Sequence, residues 1–199
     1  MNKRVERGRA TREQLIEIAT RLFAERGYDG TSIEAVLQES GLSRGALYHH
    51  FAGKDALFEA VLEVVQTDVG RKTLLAAAAE KEPLAALRAG CVAWIQLAGD
   101  PVVQRILLID APSVIGWHRW REYDEKHVLG AMKAGMASSA AQGLLPAEQS
   151  DLFAHVVMAA VNEIALVTAR ADDHTEAIRI GTAAVDEILR RLLGGQPLA

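Results

Sequence analysis

Apolar positions recur along the first part of the chain at intervals of three and four residues, which is the period of a helix with one buried face. The first such stripe is Leu15, Ile18, Ala19, Leu22 and Phe23. Thr11 and Gln14 stand before it in the spacing of a capping box, and Gly27 follows it. The pattern therefore predicts a first helix that begins at Thr11 and ends at Gly27.

Two shorter helices follow in the same way. Thr31 and Glu34 have the spacing of a second capping box, and Gly41 falls where a left-handed residue closes a helix. Ser43 can cap the next helix, whose apolar contacts would be Leu42, Leu47 and Phe51. These three helices would share one core, and Lys54 stands at the start of a longer helix that continues the chain.

Beyond residue 80 the helical stripes continue, separated by short breaks. A helix restarts at Pro83. Another begins at Pro101 with Asp100 as its cap, since proline favours the first helical position. The remaining predicted helices cover 123–140, 148–170 and 175–193, the last of them stopped by Gly194 and Gly195. The β-branched residues lie within helical periodicity, so the sequence predicts an all-α protein with no internal repeat.

Composition restricts the class of protein. Half of the 199 residues are hydrophobic, which favours a folded chain over a disordered one. Cys91 is the only cysteine, which excludes an internal disulfide or a cysteine-rich metal site and fits a reducing compartment. No apolar run approaches the ~20 residues of a membrane span. We therefore expect a soluble cytoplasmic protein that needs no metal, cofactor or membrane.

The charge is unevenly distributed along the chain, although the net charge is only −4. Residues 1–55 hold nine Lys and Arg against eight Asp and Glu, whereas the remainder holds thirteen against eighteen. Five of the basic residues lie in the first twelve positions: Lys3, Arg4, Arg7, Arg9 and Arg12. A basic arm ahead of an acidic body is expected if one end alone meets a polyanion.

Residues 32–51, SIEAVLQESGLSRGALYHHF, read as a helix, a tight turn and a second helix, which is the arrangement of a helix-turn-helix. If Leu47 faces the core, Gly45, Tyr48 and His49 point away from it, and Arg44 and His50 lie toward the flanks. These polar groups would otherwise be ordinary solvent-facing residues of a small helical subdomain, and that alternative stays open on spacing alone.

On the DNA-binding interpretation, the second helix enters the major groove, where Arg44 offers two donors to a guanine edge or a charge to a phosphate. Tyr48 and His49 can donate to phosphate oxygens, and Gly45 lets the backbone approach the DNA closely. Lys54 could act on a phosphate together with the dipole of its helix. His50 is equally well explained as a packed histidine at the core edge.

The run FAERGYDGTSIEAVLQESGLSRGALYHHFAGKDALF resembles the DNA-binding domain of the tetracycline-repressor (TetR) family. The resemblance lies in the Gly-Tyr after helix one, the Thr-Ser before helix two, the Gly-x-x-Tyr-x-His-Phe of helix three and the Lys-x-x-Leu-Phe of helix four. It covers about residues 10 to 60. It implies an N-terminal three-helix DNA-binding domain at 1–55, joined to a C-terminal helical ligand-binding and dimerisation domain at 56–199.

The resemblance also implies a homodimer that binds a double-stranded, palindromic DNA operator and responds to a small-molecule effector, most simply as a repressor. The implied DNA contacts are Ser43, Arg44, Gly45, Tyr48, His49, His50 and Lys54. Gly45, Tyr48, His50 and Lys54 fit the family pattern best. Arg44, Ala46 and His49 fall where family members vary, which is where operator choice should reside.

The C-terminal domain at 56–199 has to be described from local patterns, because the sequences of family members diverge in this part. The last helix carries a stripe of Ala177, Ile180, Gly181, Ala184, Val185, Ile188 and Leu192, which either dimerisation or burial within one chain explains. Candidate contacts of a largely apolar effector are Trp94, Trp117, Trp120, Tyr123, Met132, Met136, Met158 and Asn162. Most of these side chains are equally suited to a core.

The alternative class is a helical small-molecule carrier or an enzyme that uses the cavity of the body. The chain has no Gly-rich phosphate loop, no His-Glu-x-x-His and no nucleophile elbow. Cys91 lies on an apolar helix, where cysteine is far more often packed than reactive. The sequence therefore favours a regulator that is not an enzyme, without naming its effector, its operator or the genes it controls.

Overall fold

The computed structural model of the chain describes residues 3–193, apart from the side chains of residues 3, 4, 124 and 127. Within this range the chain is α-helical between short connections, and no β-strand occurs in it, so the predicted all-α class is confirmed. The side chains of Lys3 and Arg4 in the basic arm, and Gly194 and Gly195 at the predicted helix end, lie outside the described residues.

Ten α-helices follow one another within residues 3–193, with two π-helical segments and one 3-10 turn between them. The helices are α1 Lys3–Gly30, α2 Ile33–Ser40, α3 Arg44–His50, α4 Lys54–Ala78, α5 Pro83–Leu97, α6 Ala111–Val114, α7 Trp117–Asp124, α8 Gly130–Ala141, α9 Ser150–Ala169 and α10 His174–Leu193. The π-helical segments are Val103–Asp110 and Glu125–Leu129, and the 3-10 turn is Ala147–Gln149.

The predicted start of the first helix is wrong. Thr11 lies inside α1, where its hydroxyl donates to the carbonyl of Arg7 at 3.0 Å. The helix extends back through the basic arm, where Arg9 and Glu13 form an ion pair one turn apart at 2.8 Å. The predicted break at Gly27 is confirmed, since its φ of 73° interrupts the helical backbone of α1.

The predicted second capping box is also wrong, by one residue. Ser32 caps α2 by accepting from the backbone N–H of Ala35 at 3.1 Å. Thr31 is buried and donates instead to the carbonyls of Leu22 and Gly27 at 3.1 and 2.9 Å. The Thr31 hydroxyl therefore closes the end of α1 rather than the start of α2.

Two compact units make up the chain, and the first comprises residues up to Gln66 together with Pro101–Trp120. Its core lies between α1, α2, α3 and the first turns of α4, whose buried side chains include Leu15, Leu22, Phe23, Val36, Leu47, Phe51, Leu57 and Phe58. Phe23 and Phe58 meet edge to face with ring centres 5.1 Å apart. This aromatic contact fixes the start of α4 against α1.

The second unit comprises Thr67–Asp100 and the chain from Arg121 onward, and in it α5, α8, α9 and α10 pack against one another. The helix predicted at Tyr123 begins earlier, at Trp117, while α9 and α10 begin close to the predicted positions. Asp173 caps the last helix, because its Oδ1 accepts from the N–H of Glu176 at 3.0 Å.

The expectation that no apolar run approaches the length of a membrane span is wrong, because the stretch Ala147–Ala169, which contains α9, is long and apolar enough to cross a membrane, with a mean hydropathy of 1.8 in its most apolar window. Half of that window is buried inside the protein. The core helices of soluble proteins have the same length and composition, so this helix is weak evidence for a membrane span.

Candidate nucleic-acid interface

The predicted helix-turn-helix is formed by α2, a turn at Gly41 and α3. Gly41 adopts φ 67°, a left-handed conformation that glycine reaches without a steric penalty, and its N–H donates to the carbonyl of Leu37 at 3.0 Å. Ser43 then caps α3, because its Oγ accepts from the N–H of Ala46 at 3.2 Å. Both local predictions at this turn are confirmed.

The two faces of α3 differ as the spacing predicts. Leu47 is fully buried, and Phe51, directly after the helix, is buried as well. Tyr48 is 46% exposed, and Gly45 and His49 are also on the exposed side. A Cβ built on Gly45 would meet only the Ser43 Oγ, at 4.0 Å. The outer side of α3 is therefore a polar surface with an open gap at Gly45.

Arg44 extends into solvent but already has a partner within the protein. Its guanidinium forms an ion pair with the carboxylate of Glu34 on α2, and 61% of the Arg44 side chain is exposed. Sequence reasoning missed this contact because it assigned Glu34 to a capping box. The pair joins the two helices of the motif on their exposed side, next to the gap at Gly45.

His50 and Lys54 lie at the edge of this surface. His50 is half-buried, with its ring centre 5.1 Å from that of His49, so it borders the core as well as the exposed face. Lys54 is the first residue of α4, and its Nζ lies 3.9 Å from the ring centre of Tyr28, a cation–π distance. Tyr28 therefore holds the Lys54 ammonium at the edge of the motif.

Arg12 adds a basic group that the spacing of the motif did not identify. Its guanidinium lies 5.3 Å from the ring centre of Phe51, immediately after α3. The basic N-terminal arm thus reaches the same end of the motif as His50. Among the described residues, no three His, Cys, Asp or Glu side chains come together as metal ligands, and the interface is cationic and hydrogen-bonding in character.

The structure separates the eight predicted effector contacts. Six belong to the second unit, namely Trp94, Tyr123, Met132, Met136, Met158 and Asn162, and two belong to the first, Trp117 and Trp120. The indole N–H of Trp94 donates to Oδ1 of Asn162 at 2.9 Å, joining α5 and α9 through a polar contact. Met132, Met136 and Met158 are buried on α8 and α9.

The two tryptophans of the first unit have different surroundings. Trp120 is buried and donates its indole N–H to the carbonyl of Leu107 at 2.8 Å. Trp117 lies against it, with ring centres 4.7 Å apart, and is largely exposed. Sequence reasoning also missed Gln66, which is buried and whose Oε1 has no hydrogen-bond partner within residues 3–193.

An open cleft of about 520 Å³ lies in the second unit, beside the end of α5 and the start of α10. Its lining includes Lys72, Gln96, Asp100, His174 and Thr175, and none of the eight predicted effector contacts.

Cys91 lies on α5 but is buried, and this burial raises the pKa of its thiol to about 12. A thiol with that pKa is not an activated nucleophile at neutral pH.

The stripe predicted on the last helix divides between two surroundings. A Cβ at Gly181 would lie 2.9 Å from Ile164 Cγ2 and 3.1 Å from Ile95 Cγ2, so this glycine permits close packing within the chain, and Val185 is fully buried. Ile180 is 54% exposed on the same helix. Large apolar side chains on the neighbouring α9 are exposed too: Leu152, Val156 and Val167.

Two family models match the chain. Residues 15–61 match the bacterial regulatory proteins of the tetR family, and residues 84–192 match the tetracyclin repressor-like C-terminal domain. A solved TetR-family transcriptional regulator from Pectobacterium atrosepticum is 27% identical and superposes with a TM-score of 0.83, covering 98% of this chain and 99% of that one. The similarity thus extends over both units.

Curated relatives match over a part of the chain. A helix-turn-helix transcriptional repressor of Mycobacterium tuberculosis is 50% identical over 52 residues, which are 26% of this chain and 28% of that protein. The regulator AcrR of Shigella flexneri is 34% identical over 79 residues, 39% of this chain and 37% of that protein. The chain therefore spans about a third of the length of these two relatives.

Proposed function

The chain belongs to the tetracycline-repressor family of bacterial regulatory proteins, and from that premise we propose that it is an effector-responsive transcriptional repressor. In this proposal residues 1–55 form the DNA-binding domain, and residues 56–199 bind the effector and form a homodimer. The dimer binds a palindromic operator, and the protein works in the cytoplasm, where that DNA lies. The relatives that it resembles are named as transcriptional regulators rather than enzymes.

The exposed polar side of α3 is the observation that carries the proposal. Arg44, Tyr48 and His49 are exposed on a short helix whose Leu47 is locked in the core, so the backbone that presents them is rigid. Arg44 would read a base edge, and Tyr48 and His49 would donate to phosphates. Ser43 uses its Oγ lone pair as a cap and keeps its hydroxyl proton for a phosphate oxygen.

The exposed apolar side chains of α9 and α10 support the homodimer. Isolated surface leucines are ordinary, but Leu152, Val156 and Val167 recur on the exposed side of one helix, and Ile180 is exposed on the helix packed against it. An apolar patch of this kind can pack against the same patch of a second copy across a two-fold axis. The resulting symmetric dimer matches the two half-sites of a palindromic operator.

For the effector we propose a mainly apolar molecule with a polar group. In the second unit, the buried Met132, Met136 and Met158 supply apolar surface, and the hydrogen-bonded pair of Trp94 and Asn162 supplies polar groups. Helix α4 runs without interruption from Lys54 to Ala78. Effector binding would act through this helix on the separation of the two DNA-binding domains, which fit adjacent grooves only near ~34 Å.

The proposal is tested with DNA fragments from the region upstream of the chain's own gene, using fluorescence anisotropy at several salt concentrations. We expect a palindromic fragment to bind with an affinity that falls steeply as salt rises, because phosphate contacts release counterions. Tyr48→Ala should weaken all operators similarly. Arg44→Ala should relax the preference at one base pair, by about 1–3 kcal/mol, whereas Arg71→Ala in a surface ion pair should change neither property.

A protein that binds every fragment with equal, weak affinity, or that turns over a metabolite without binding DNA, would contradict the proposal. The dimer is tested separately by sedimentation of Ile180→Glu, which places a charge on the proposed two-fold face and should produce monomers. Val5→Glu, at another exposed apolar residue, on α1, is the control and should leave the dimer intact. A wild-type monomer at micromolar concentration would refute the homodimer.

A further inference from the structure

The helix that begins at Pro101 takes π-helical geometry over Val103–Asp110. A π-helix bonds each N–H to the carbonyl five residues earlier, and such insertions occur frequently at functional sites. The geometry brings Arg105 and Asp110 together, and Arg105 Nε donates to Asp110 Oδ2 at 3.2 Å. In an α-helix the same two residues would lie about 140° apart around the axis.

The Asp110 carboxylate also holds α1. Asp110 is only 7% exposed, and the same Oδ2 accepts from the backbone N–H of Tyr28 at 2.7 Å. Because Gly27 leaves helical geometry, Tyr28 follows a break in the backbone of α1 and its N–H finds this acceptor outside the helix. A hydrogen bond to a charged acceptor is roughly twice as strong as a neutral one.

Arg105 contacts Gly27, the residue that precedes Tyr28. A Cβ added to Gly27 would overlap the guanidinium of Arg105, so the guanidinium lies directly against the glycine. The positive φ of Gly27 makes a side chain unfavourable there for a second reason. Arg105 and Asp110 therefore fix both residues of the Gly27–Tyr28 step, one by contact and the other by a hydrogen bond.

Tyr28 connects this step to the DNA-facing surface. Its ring packs edge-on against Phe58 at 5.1 Å, and its hydroxyl donates to the carboxylate of Asp55 at the start of α4. Lys54 Nζ lies over the same ring. Burial, and then the hydrogen bond to Asp55, raise the pKa of Tyr28 to about 12, so the hydroxyl stays a donor at neutral pH. The contacts of Tyr28 thus set the position of the Lys54 ammonium.

We infer that Arg105 and Asp110 are positioning residues for operator binding: the π-helical segment fixes the Gly27–Tyr28 step, and Tyr28 in turn places Lys54 against a phosphate. The inference rests on the DNA-binding function proposed above. A change of this segment to α-helical geometry would move Asp110 away from Arg105 and release the N–H of Tyr28. A change in this segment would in this way weaken the contact between Lys54 and the phosphate without any change in α3.

The test uses the full-length chain and two variants. Asp110→Asn keeps the shape and an acceptor but removes the charge, and Arg105→Gln removes the guanidinium. Arg71→Gln is the matched control, because it removes the same charge from a surface ion pair with Asp68 in the second unit. Operator affinity is measured by fluorescence anisotropy over a range of salt concentrations, and exchange of the Tyr28 amide proton is followed by NMR.

Both variants should bind the operator about a hundredfold more weakly, because the Lys54–phosphate contact contributes a factor of about ten in each half-site. Losing one Lys54 contact in each half-site should lower the slope of log affinity against log salt by about 1.8, because each phosphate contact contributes about 0.9. The Tyr28 amide should exchange faster, and the base preference set by α3 should stay unchanged. The control should match the wild type in each measurement.

Folded variants with wild-type affinity and wild-type salt slope would overturn the inference. A loss of affinity with an unchanged slope would also overturn it, since general destabilisation would then explain the loss. If Asp110→Asn does not fold, Arg105→Gln decides alone, because 42% of the Arg105 side chain is exposed and its loss is tolerated more easily. A wild type that binds no palindromic fragment would instead refute the proposed function, and the positioning role with it.

Discussion

Replacing Gly45 with alanine should make the free protein more stable and its complex with DNA weaker. Gly45 is the second residue of α3, and a Cβ there meets only Ser43 Oγ at 4.0 Å, an ordinary van der Waals contact. Alanine is favoured over glycine by about 0.5–1 kcal/mol in a helix, and we expect about 0.5 kcal/mol in this first turn. The free energy of unfolding should therefore rise.

On the DNA the same methyl group has an opposite effect. We propose that α3 approaches the sugar-phosphate wall through the gap at Gly45, so the methyl group must displace the helix or the DNA. Inserting a methylene into a close-packed contact costs about 1–3 kcal/mol, which corresponds to a factor of about 5 to 150 in affinity. The expected gain in stability is too small to offset this loss, and operator affinity should fall by a factor of about 5 to 150.

The two effects are measured by urea denaturation and by fluorescence anisotropy with an operator fragment. Gly130→Ala is the matched control, because Gly130 also lies in a helix with no atom within 4 Å of an added Cβ, but in the second unit. It should gain stability and keep its operator affinity. If Gly45→Ala binds DNA as tightly as the wild type, α3 does not approach the DNA through this gap, and the proposed docking is wrong.

Two further predictions concern polar side chains of the first unit. In a spectrophotometric titration, one tyrosine should titrate near pH 12, and Tyr28→Phe should remove that transition. Because the pKa of Tyr28 is raised on folding, its contribution to stability is complete below pH 10 and is lost as the pH rises through 12, which pH-dependent urea denaturation would detect. Gln66→Leu removes an unpaired buried acceptor and should raise the free energy of unfolding by about 1 kcal/mol. A free energy of unfolding below that of the wild type would show that Gln66 Oε1 has a hydrogen-bond partner in solution.

The helix-turn-helix could be predicted from the sequence because its signals are local. Gly41 and Ser43 act within one turn of their own position, and the burial of Leu47 follows from helical spacing. The helix starts were less predictable. Thr11 has the residue type of a cap, but the chain before it is helical as well, and nothing within four residues distinguishes a cap from an interior threonine.

The contacts that position the site could not be predicted in this way. Arg44 and Glu34 are ten residues apart and meet only because the turn at Gly41 folds α3 back beside α2. Arg105 and Asp110 are five residues apart, and a helical period of 3.6 places them on different faces. Only the π-helical geometry of Val103–Asp110 joins them, and no residue type marks such an insertion.

The ion pair between Arg44 and Glu34 has a consequence for how a sequence is selected. An exposed pair of this kind is worth only about 0–1 kcal/mol, so a guanine edge with two acceptors can replace the carboxylate at little cost. In the DNA complex that we propose, a base pair without those acceptors offers no such exchange, and Arg44 would remain with Glu34. Glu34 would then compete with each base pair for the Arg44 guanidinium.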